Sequence, residues 1–181
     1  GNDMYELLKD KGYSIVRTKE EFEKIKNGKV WGIFTNADMS YEIDRDAKEP
    51  SLSEMTKKAI EILSKNPNGF VLMVEGSKVD WAAHANNPAT IVREIKAFDD
   101  AVGIALSYAK LNNKTLLISS SDHGNSGISI GNKSTSGNYP QIPLDEFVST
   151  IRNVKMGEEK LSKLIFEDIS KTEELITKHL G

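Results

Sequence analysis

Two short apolar runs constrain this chain more than any other feature of its sequence. Residues 70–74 read Phe-Val-Leu-Met-Val and residues 115–119 read Thr-Leu-Leu-Ile-Ser, and neither run alternates apolar with polar side chains. Runs of this kind are typical of strands in a parallel sheet that helices cover on both faces. Residues 91–111, between the runs, carry apolar side chains at helical spacing. The order strand, helix, strand predicts a layered α/β fold.

The first 34 residues predict the same architecture. Helical spacing of apolar residues predicts a helix over 2–11, and strands are predicted at Tyr13–Val16 and 29–34. Between the strands, Thr18 and Glu21 have the spacing of a capping box, which marks the start of a helix. Because helix and strand alternate in this way in layered folds, we expect three layers, α/β/α, around a mostly parallel sheet.

The remaining pattern separates into a core and a helical tail. Ser51 and Glu54 form a second capping box, which predicts a helix up to residue 66. The other predicted elements are a loop at 35–50, a short strand at 128–130, a loop at 132–138 and three short helices at 144–154, 157–166 and 170–180. We therefore expect a partial α/β core over residues 1–136 and a helical insertion over residues 137–181.

Composition excludes several classes of function. The 24 Lys and Arg residues against 27 Asp and Glu leave a net charge of −3, so we expect no nucleic-acid partner, because duplex-binding domains carry a concentrated positive excess. Without cysteine, disulfides, thiol nucleophiles and Cys-ligated zinc are excluded. No apolar run approaches the roughly 20 residues of a membrane span. The polar first eleven residues lack a signal-peptide pattern, so we expect either a cytoplasmic protein or a sequence that begins downstream of the original N-terminus.

Side chains that bind metal ions follow both apolar runs. The first run leads into Glu75, Asp80 and His84, and the second leads into Asp122 and His123. Ligands of parallel α/β sheets bind at the carboxyl ends of the strands, so we expect the two clusters to meet. Asp80 and His84 are four residues apart and share one face of a helical turn. Aspartate and neutral imidazole are common zinc ligands.

Each of these signals has a plainer interpretation. An isolated Asp-x3-His is usually a solvated helix face, an Asp-His pair is usually a turn, and Glu75 suits a loop or cap. Two of the three histidines directly follow apolar runs, however, and this coincidence favours a metal site. The third, His179, lies in a polar C-terminal segment and is predicted to be a surface or helix-end residue.

The residues around these clusters resemble one known family. Residues 74–86, Val-Glu-Gly-Ser-Lys-Val-Asp-Trp-Ala-Ala-His-Ala-Asn, resemble the metal-site segment of alkaline phosphatases. Residues 116–127, with Asp122-His123-Gly124, resemble the next metal segment of that family. The intervening helix with Ala97-Phe98-Asp99 and the helix at 51–66 also fit, so the resemblance covers about residues 2–131.

The resemblance implies hydrolysis of phosphate monoesters at two zinc ions and one magnesium ion. Asp80 and His84 would ligate the first zinc, Asp122 and His123 the second, and Glu75 the magnesium. A zinc pair clamps the attacking and leaving oxygens of an in-line displacement, and hard carboxylate oxygens suit magnesium. Trp81 stands at a position that varies within the family, so we expect it to tune phosphate binding. The parent protein is expected to be a periplasmic or extracellular homodimer.

Other parts of the family pattern are missing. The family's nucleophilic serine, which follows an aspartate, has no counterpart here, and neither Ser77 nor 119–121 occupies its place. The bridging aspartate, the phosphate-binding arginine, a magnesium ligand and the final zinc-binding histidine are also missing, and His179 does not match the last. We therefore expect a central portion of an alkaline phosphatase that binds metal weakly and has no turnover alone.

Two alternatives stay open. The first is another enzyme of the same superfamily, a phosphomutase or a nucleotide pyrophosphatase, which shares Asp-His but not the run from Glu75 to His84. The second is a non-catalytic α/β binding module whose tail, residues 144–181, mediates partner contacts. Substrate class separates the first from a phosphatase, and zinc titration separates the second.

Overall fold

The computed structural model describes residues 4–131 and 133–181. The first two residues of the helix predicted at 2–11, and Asn132 of the predicted loop at 132–138, therefore lie outside the described residues. The chain forms two compact units. Unit one comprises residues 4–40, 45–75 and 96–120, and unit two comprises residues 41–44, 76–95, 121–131 and 133–181.

Unit one contains a parallel two-stranded sheet with helices. Its elements are α1 (Met4–Asp10), β1 (Tyr13–Val16), α2 (Lys19–Lys24), β2 (Lys29–Gly32), α3 (Leu52–Leu63) and residues 96–111 of α5 (Pro88–Leu111). β1 pairs with β2 in a register that sets Tyr13 opposite Lys29. Val16, Ile60 and Ala101 are buried and form its core. The predicted alternation of helix and strand is confirmed, with β2 two residues shorter than expected.

Both predicted capping boxes are present and connect to each other. The Thr18 hydroxyl accepts from the Glu21 amide at 3.2 Å, and the Glu21 carboxylate accepts from the Thr18 amide at 3.3 Å. Ser51 and Glu54 make the same pair of bonds, at 3.2 and 2.8 Å. Lys19, in the first turn of α2, lies 2.6 Å from a Glu54 carboxylate oxygen. One ion pair therefore joins the N-termini of α2 and α3.

The two apolar runs do not form strands. Among the described residues the sheet consists of β1 and β2 alone, and residues 70–74 and 115–119 have no regular secondary structure. The expected burial on both faces is also wrong, because Val71 is 95% and Leu116 is 83% exposed. A strand needs a neighbouring backbone and covering layers, which the described residues do not supply on these sides. The short strand expected at 128–130 is likewise not formed.

Unit two consists of helices and turns. Its elements are α4 (Ser77–His84), residues 88–95 of α5, a 3-10 helix at Tyr139–Gln141, α6 (Leu144–Asn153), α7 (Glu158–Glu167), a 3-10 helix at Ile169–Lys171 and α8 (Thr172–Leu180). The three predicted C-terminal helices are confirmed to within two residues at each end. None of the helices that the described residues form has both the length and the apolar character needed to cross a membrane.

Polar contacts link the tail of unit two to its other segments. Arg93 of α5 donates to the carbonyl of Val154 at 2.6 Å, beyond the end of α6. The Gly157 amide, directly before α7, lies 3.2 Å from both carboxylate oxygens of Asp44. Asn87 binds the carboxylate of Glu158. The α6–α7 connection is therefore held by side chains that lie far away in sequence.

Candidate metal centre

Helix α4 positions Asp80 and His84 on one face. The helix begins after Gly76 and ends at His84, so the two side chains lie one turn apart. His84 Nε2 is 3.6 Å from Asp80 Oδ2. Ala85 follows as the C-cap, and Asn86 adopts a left-handed conformation with φ of 52°, which ends the helix before Pro88. Asp80 and His84 therefore share one face of α4, as their spacing predicts.

A turn after the second apolar run docks on α4. Asn125 donates its side-chain amide to Asp80 Oδ1 at 2.8 Å, and the Ser126 hydroxyl donates to the carbonyl of Ala83. Ser126 has a φ of 62°, in the left-handed region, and Gly127 follows with 66°. These two contacts bind the turn to the helix that carries Asp80 and His84.

Docking of the turn brings His123 to Asp80. His123 Nε2 lies 4.0 Å from Asp80 Oδ1 and 3.6 Å from Asp122 Oδ2. The His123 amide also donates to the Asp122 carboxylate at 3.0 Å. Asp80 is therefore flanked by the imidazoles of His84 and His123, and Asp122 extends the row by one carboxylate.

The four side chains differ in solvent exposure. Asp80 is 38% exposed, whereas His84 is 69% and Asp122 is 89% exposed. Contacts between exposed carboxylates and imidazoles contribute little to stability, typically below about 1 kcal/mol. The hydrogen bonds from Asn125 and Ser126 therefore contribute more to holding the turn on α4 than the contacts between carboxylates and imidazoles do.

The donor types fit zinc, but their arrangement is not a closed coordination shell. Two carboxylates and two imidazoles are the ligand types that zinc takes in cysteine-free sites. Across residues 4–131 and 133–181, no group of three or more His, Asp and Glu side chains is arranged to hold one ion. The two imidazoles thus lie 3.6 and 4.0 Å from the Asp80 carboxylate, and the role of these residues as metal ligands stays a prediction.

The other residues singled out by sequence have different surroundings. Glu75 is exposed and is the last residue of its stretch of unit one. Lys78 lies 3.9 Å from the ring of Trp81 and 4.8 Å from that of Tyr41, both at distances typical of cation–π contacts. His179 lies in the last turn of α8, as predicted, where its carbonyl accepts from the Lys155 amide at 2.8 Å.

Asn125 and Ser126 are the site residues that sequence reasoning missed. The run Asn-Ser-Gly after Asp122-His123-Gly124 has the composition of a turn, and a turn is the usual meaning of such residues. The partners of both side chains are more than 40 residues away on α4, at Asp80 and Ala83. No local pattern marks a contact of that range.

Comparison with known proteins identifies the family. A family model described as Alkaline phosphatase matches residues 1–171. The chain belongs to the alkaline phosphatase family. Alkaline phosphatase 4 of Bacillus subtilis (strain 168) is 44% identical over 124 residues, which cover 68% of this chain and 27% of that protein. The chain thus spans 27% of the length of this curated relative.

Solved alkaline phosphatases share the fold. The crystal structure of a cold-active alkaline phosphatase from Shewanella sp. matches all of this chain and 43% of its own, with a TM-score of 0.85 and 28% identity. A mutant alkaline phosphatase from TAB5, with Mg bound in its M3 site, matches 61% of this chain and 32% of its own, with a TM-score of 0.53 and 32% identity. The expected alkaline-phosphatase-like α/β class is confirmed, as an incomplete form of that fold.

Proposed function

We propose that this chain is part of a metal-dependent phosphatase that hydrolyses phosphate monoesters. The observation that carries the proposal is the contact of Asp80 with both His84 and His123, residues that come from two separate segments. Membership of the alkaline phosphatase family supports the reaction class and favours it over a phosphomutase, a pyrophosphatase or a non-catalytic module. The complete protein would act as a periplasmic or extracellular homodimer.

The site would hold two zinc ions and one magnesium ion in the complete protein. Asp80 and His84 would ligate the first zinc, Asp122 and His123 the second, and Glu75 the magnesium. Metal bound by a related phosphatase at its M3 site supports the magnesium assignment. When bound, such a metal cluster neutralises phosphoryl charge and generates a nucleophile near neutral pH.

The chain's own residues would orient this site. Asn125 holds one oxygen of the Asp80 carboxylate, which leaves the other oxygen facing His84. Ser126 fixes the turn to α4, so that His123 is presented at a set distance from Asp80. Lys78, stacked on Trp81, adds a positive charge that would attract a phosphate dianion, which is how Trp81 would tune phosphate binding.

The 181-residue chain alone would bind metal weakly and have no turnover. Two protein ligands for each zinc and one for magnesium make an incomplete site, because metal affinity depends on the number and geometry of the ligands. The sequence also contains no serine in the nucleophile's context. Residues 1–136 would be the α/β part of this segment and residues 137–181 a helical insertion.

Two measurements test the proposal. In the complete phosphatase, His123→Ala should lower kcat/KM for p-nitrophenyl phosphate by about 100-fold or more, with loss of bound zinc, whereas His179→Ala should retain activity. Unchanged kcat/KM and zinc content in the His123 variant would contradict the proposal. The 181-residue chain with zinc and magnesium should give no turnover, and turnover that disappears with His123→Ala would refute its inactivity.

A further inference from the structure

Asn87 joins the helix that carries Asp80 and His84 to the helix that follows it. Its backbone amide donates to the carbonyl of Ala82 at 3.1 Å, at the C-terminal end of α4. Its side-chain oxygen accepts from the Thr90 amide at 3.0 Å, in the first turn of α5. One residue therefore closes α4 and caps α5, and it follows His84 by one helical turn.

The side-chain amide of Asn87 has its partner in the C-terminal tail. It donates to the carboxylate of Glu158, in the first turn of α7, and both side chains are half-buried. A hydrogen bond to a charged carboxylate is stronger than one between neutral groups. Asn87 directly precedes Pro88, the first residue of α5, so the carboxylate lies at a helix N-terminus, where the helix dipole favours negative charge.

The segment that carries Glu158 is itself held by other parts of unit two. The amide of Gly157, a buried residue, binds the Asp44 carboxylate, and Arg93 donates to the carbonyl of Val154 at 2.6 Å. These contacts lie on the N-terminal side of Glu158 and do not involve Asn87. They therefore place the carboxylate independently of the residue that it binds.

Helix α4 has little packing of its own to fix its position. Of its eight residues, all of which the structure describes, only Ala82 is buried. Short helices gain most of their stability from tertiary contacts and not from propensity. The C-terminal end of α4, where His84 lies, is therefore placed by the turn at 125–126 and by Asn87.

We propose that Glu158 is a positioning residue of the metal centre. Through Asn87 it fixes the C-terminal end of α4, and with it the place of the His84 imidazole. Glu158 acts on Asn87 and not on the reacting atoms. The inference rests on the proposed function, and it gives the helical tail a part in supporting the site that α4 carries.

Exchanging donor and acceptor tests the contact in the metal-free 181-residue chain. Asn87→Asp keeps an acceptor for the Thr90 amide but sets a second carboxylate against Glu158. The amides of residues 85–87, which are hydrogen-bonded at the end of α4, should then exchange with deuterium at least about tenfold faster, and the NMR signals of the His84 ring should shift.

A double variant provides the rescue. Asn87→Asp with Glu158→Gln restores one donor and one acceptor with the same total charge as the original pair. Exchange of amides 85–87 should return to within about twofold of the original rate, and the His84 signals should return with it. A side chain that only filled space would not be rescued in this way.

The neighbouring residue supplies a matched control. Glu158→Ala and Glu159→Ala remove the same charge from the same turn of α7, but Glu159 is exposed. Only Glu158→Ala should speed exchange of amides 85–87 by about tenfold, whereas Glu159→Ala should change it by less than about twofold. If Asn87→Asp fails to fold by circular dichroism, this pair of variants carries the test.

Zinc content of the complete phosphatase separates this inference from the proposed function. His84→Ala should lose zinc, and Asn87→Asp should weaken zinc binding by about 10–100-fold, with recovery in the double variant. Zinc lost in His84→Ala but retained in Asn87→Asp would overturn this inference alone. Zinc retained in His84→Ala would overturn the proposed function and this inference together. Unchanged amide exchange in Asn87→Asp, or no rescue in the double variant, would overturn this inference whatever the zinc content.

Discussion

The apolar runs of unit one and the polar segments of unit two follow each other along the chain. Of the two, and among the described residues, only the polar segments form hydrogen bonds to a distant part of the chain. Residues 70–74 and 115–119 have strong strand composition, yet within the described part of the chain no backbone hydrogen bond joins residues 70–74 or 116–119 to another residue. Helix α4 and the turn at 121–127, which come directly after them, contact each other through Asn125 and Ser126. Side-chain hydrogen bonds to a single helix need only two segments, whereas a buried sheet needs neighbours on both edges and both faces. The contacts at the site therefore form without a completed sheet.

The largest expected effect is on stability, and it should differ between a helix of unit one and one of its apolar runs. Ile60→Ala, at a buried position of α3, should destabilise the chain by about 2–4 kcal/mol, because it removes packed atoms and leaves a cavity. Val71→Ala, at a 95% exposed position, should change stability by less than about 0.5 kcal/mol. Urea unfolding of both variants measures the difference. Similar losses for the two variants would mean that the runs already contribute to a core.

A smaller effect is expected where the turn of unit two binds α4. Asn125→Ala removes the donor to Asp80, and loss of such a supporting contact typically weakens metal binding by about 10–100-fold. Zinc titration calorimetry measures the affinity, and NMR of the His123 ring reports whether the turn has moved, independently of metal. Asn113→Ala, at an exposed site of unit one, is the control. An Asn125 variant with unchanged affinity and unchanged His123 resonances would show that Ser126 alone holds the turn.

The smallest expected effect is the loss of stability at low pH that Glu54 causes. Burial opposes ionisation of Glu54, but hydrogen bonds from Lys19 and Ser51 outweigh it and lower the pKa of this carboxyl below 4.5. The folded chain thus favours the ionised form, so the contribution is fully present above about pH 4.5 and is lost as pH falls through the lowered folded pKa. For a pair this exposed it amounts to about 0.5 kcal/mol. Thermal unfolding from pH 6 to pH 3 should show a shallower decline for Glu54→Gln, and parallel curves would contradict this.

Much of the fold was predictable because its signals are local. The capping boxes at Thr18 and Ser51 fix the starts of α2 and α3 through side chains three residues apart. Apolar spacing over residues 91–111 predicts α5 from the end of its first turn to its last residue, and the observed start at Pro88 suits the first turn of a helix. Signals whose residues all lie within one or two helical turns do not depend on the rest of the molecule.

The wrong strand predictions and the missed contact of Asn125 have a common physical cause. Strand formation at 70–74 and 115–119 depends on partners that no window of sequence contains, so composition predicts the capacity to pair and not the pairing. At the site, the spacing of Asp80 and His84 predicted a shared helix face, and the approach of His123 followed from the expected strand ends. The bond from Asn125 to Asp80 is a contact across 45 residues and has no sequence signal.

The contact between Gly157 and Asp44 has an evolutionary consequence. A Cβ at residue 157 would lie 2.5 Å from Asp44 Oδ2 and 3.2 Å from the Ile43 side chain, so this position admits no residue larger than glycine while that carboxylate stays in place. A side chain at 157 therefore requires the Asp44 carboxylate to turn away or to be replaced, and either change removes its contact with the Gly157 amide. An alignment of its orthologues should show these two positions changing as a pair.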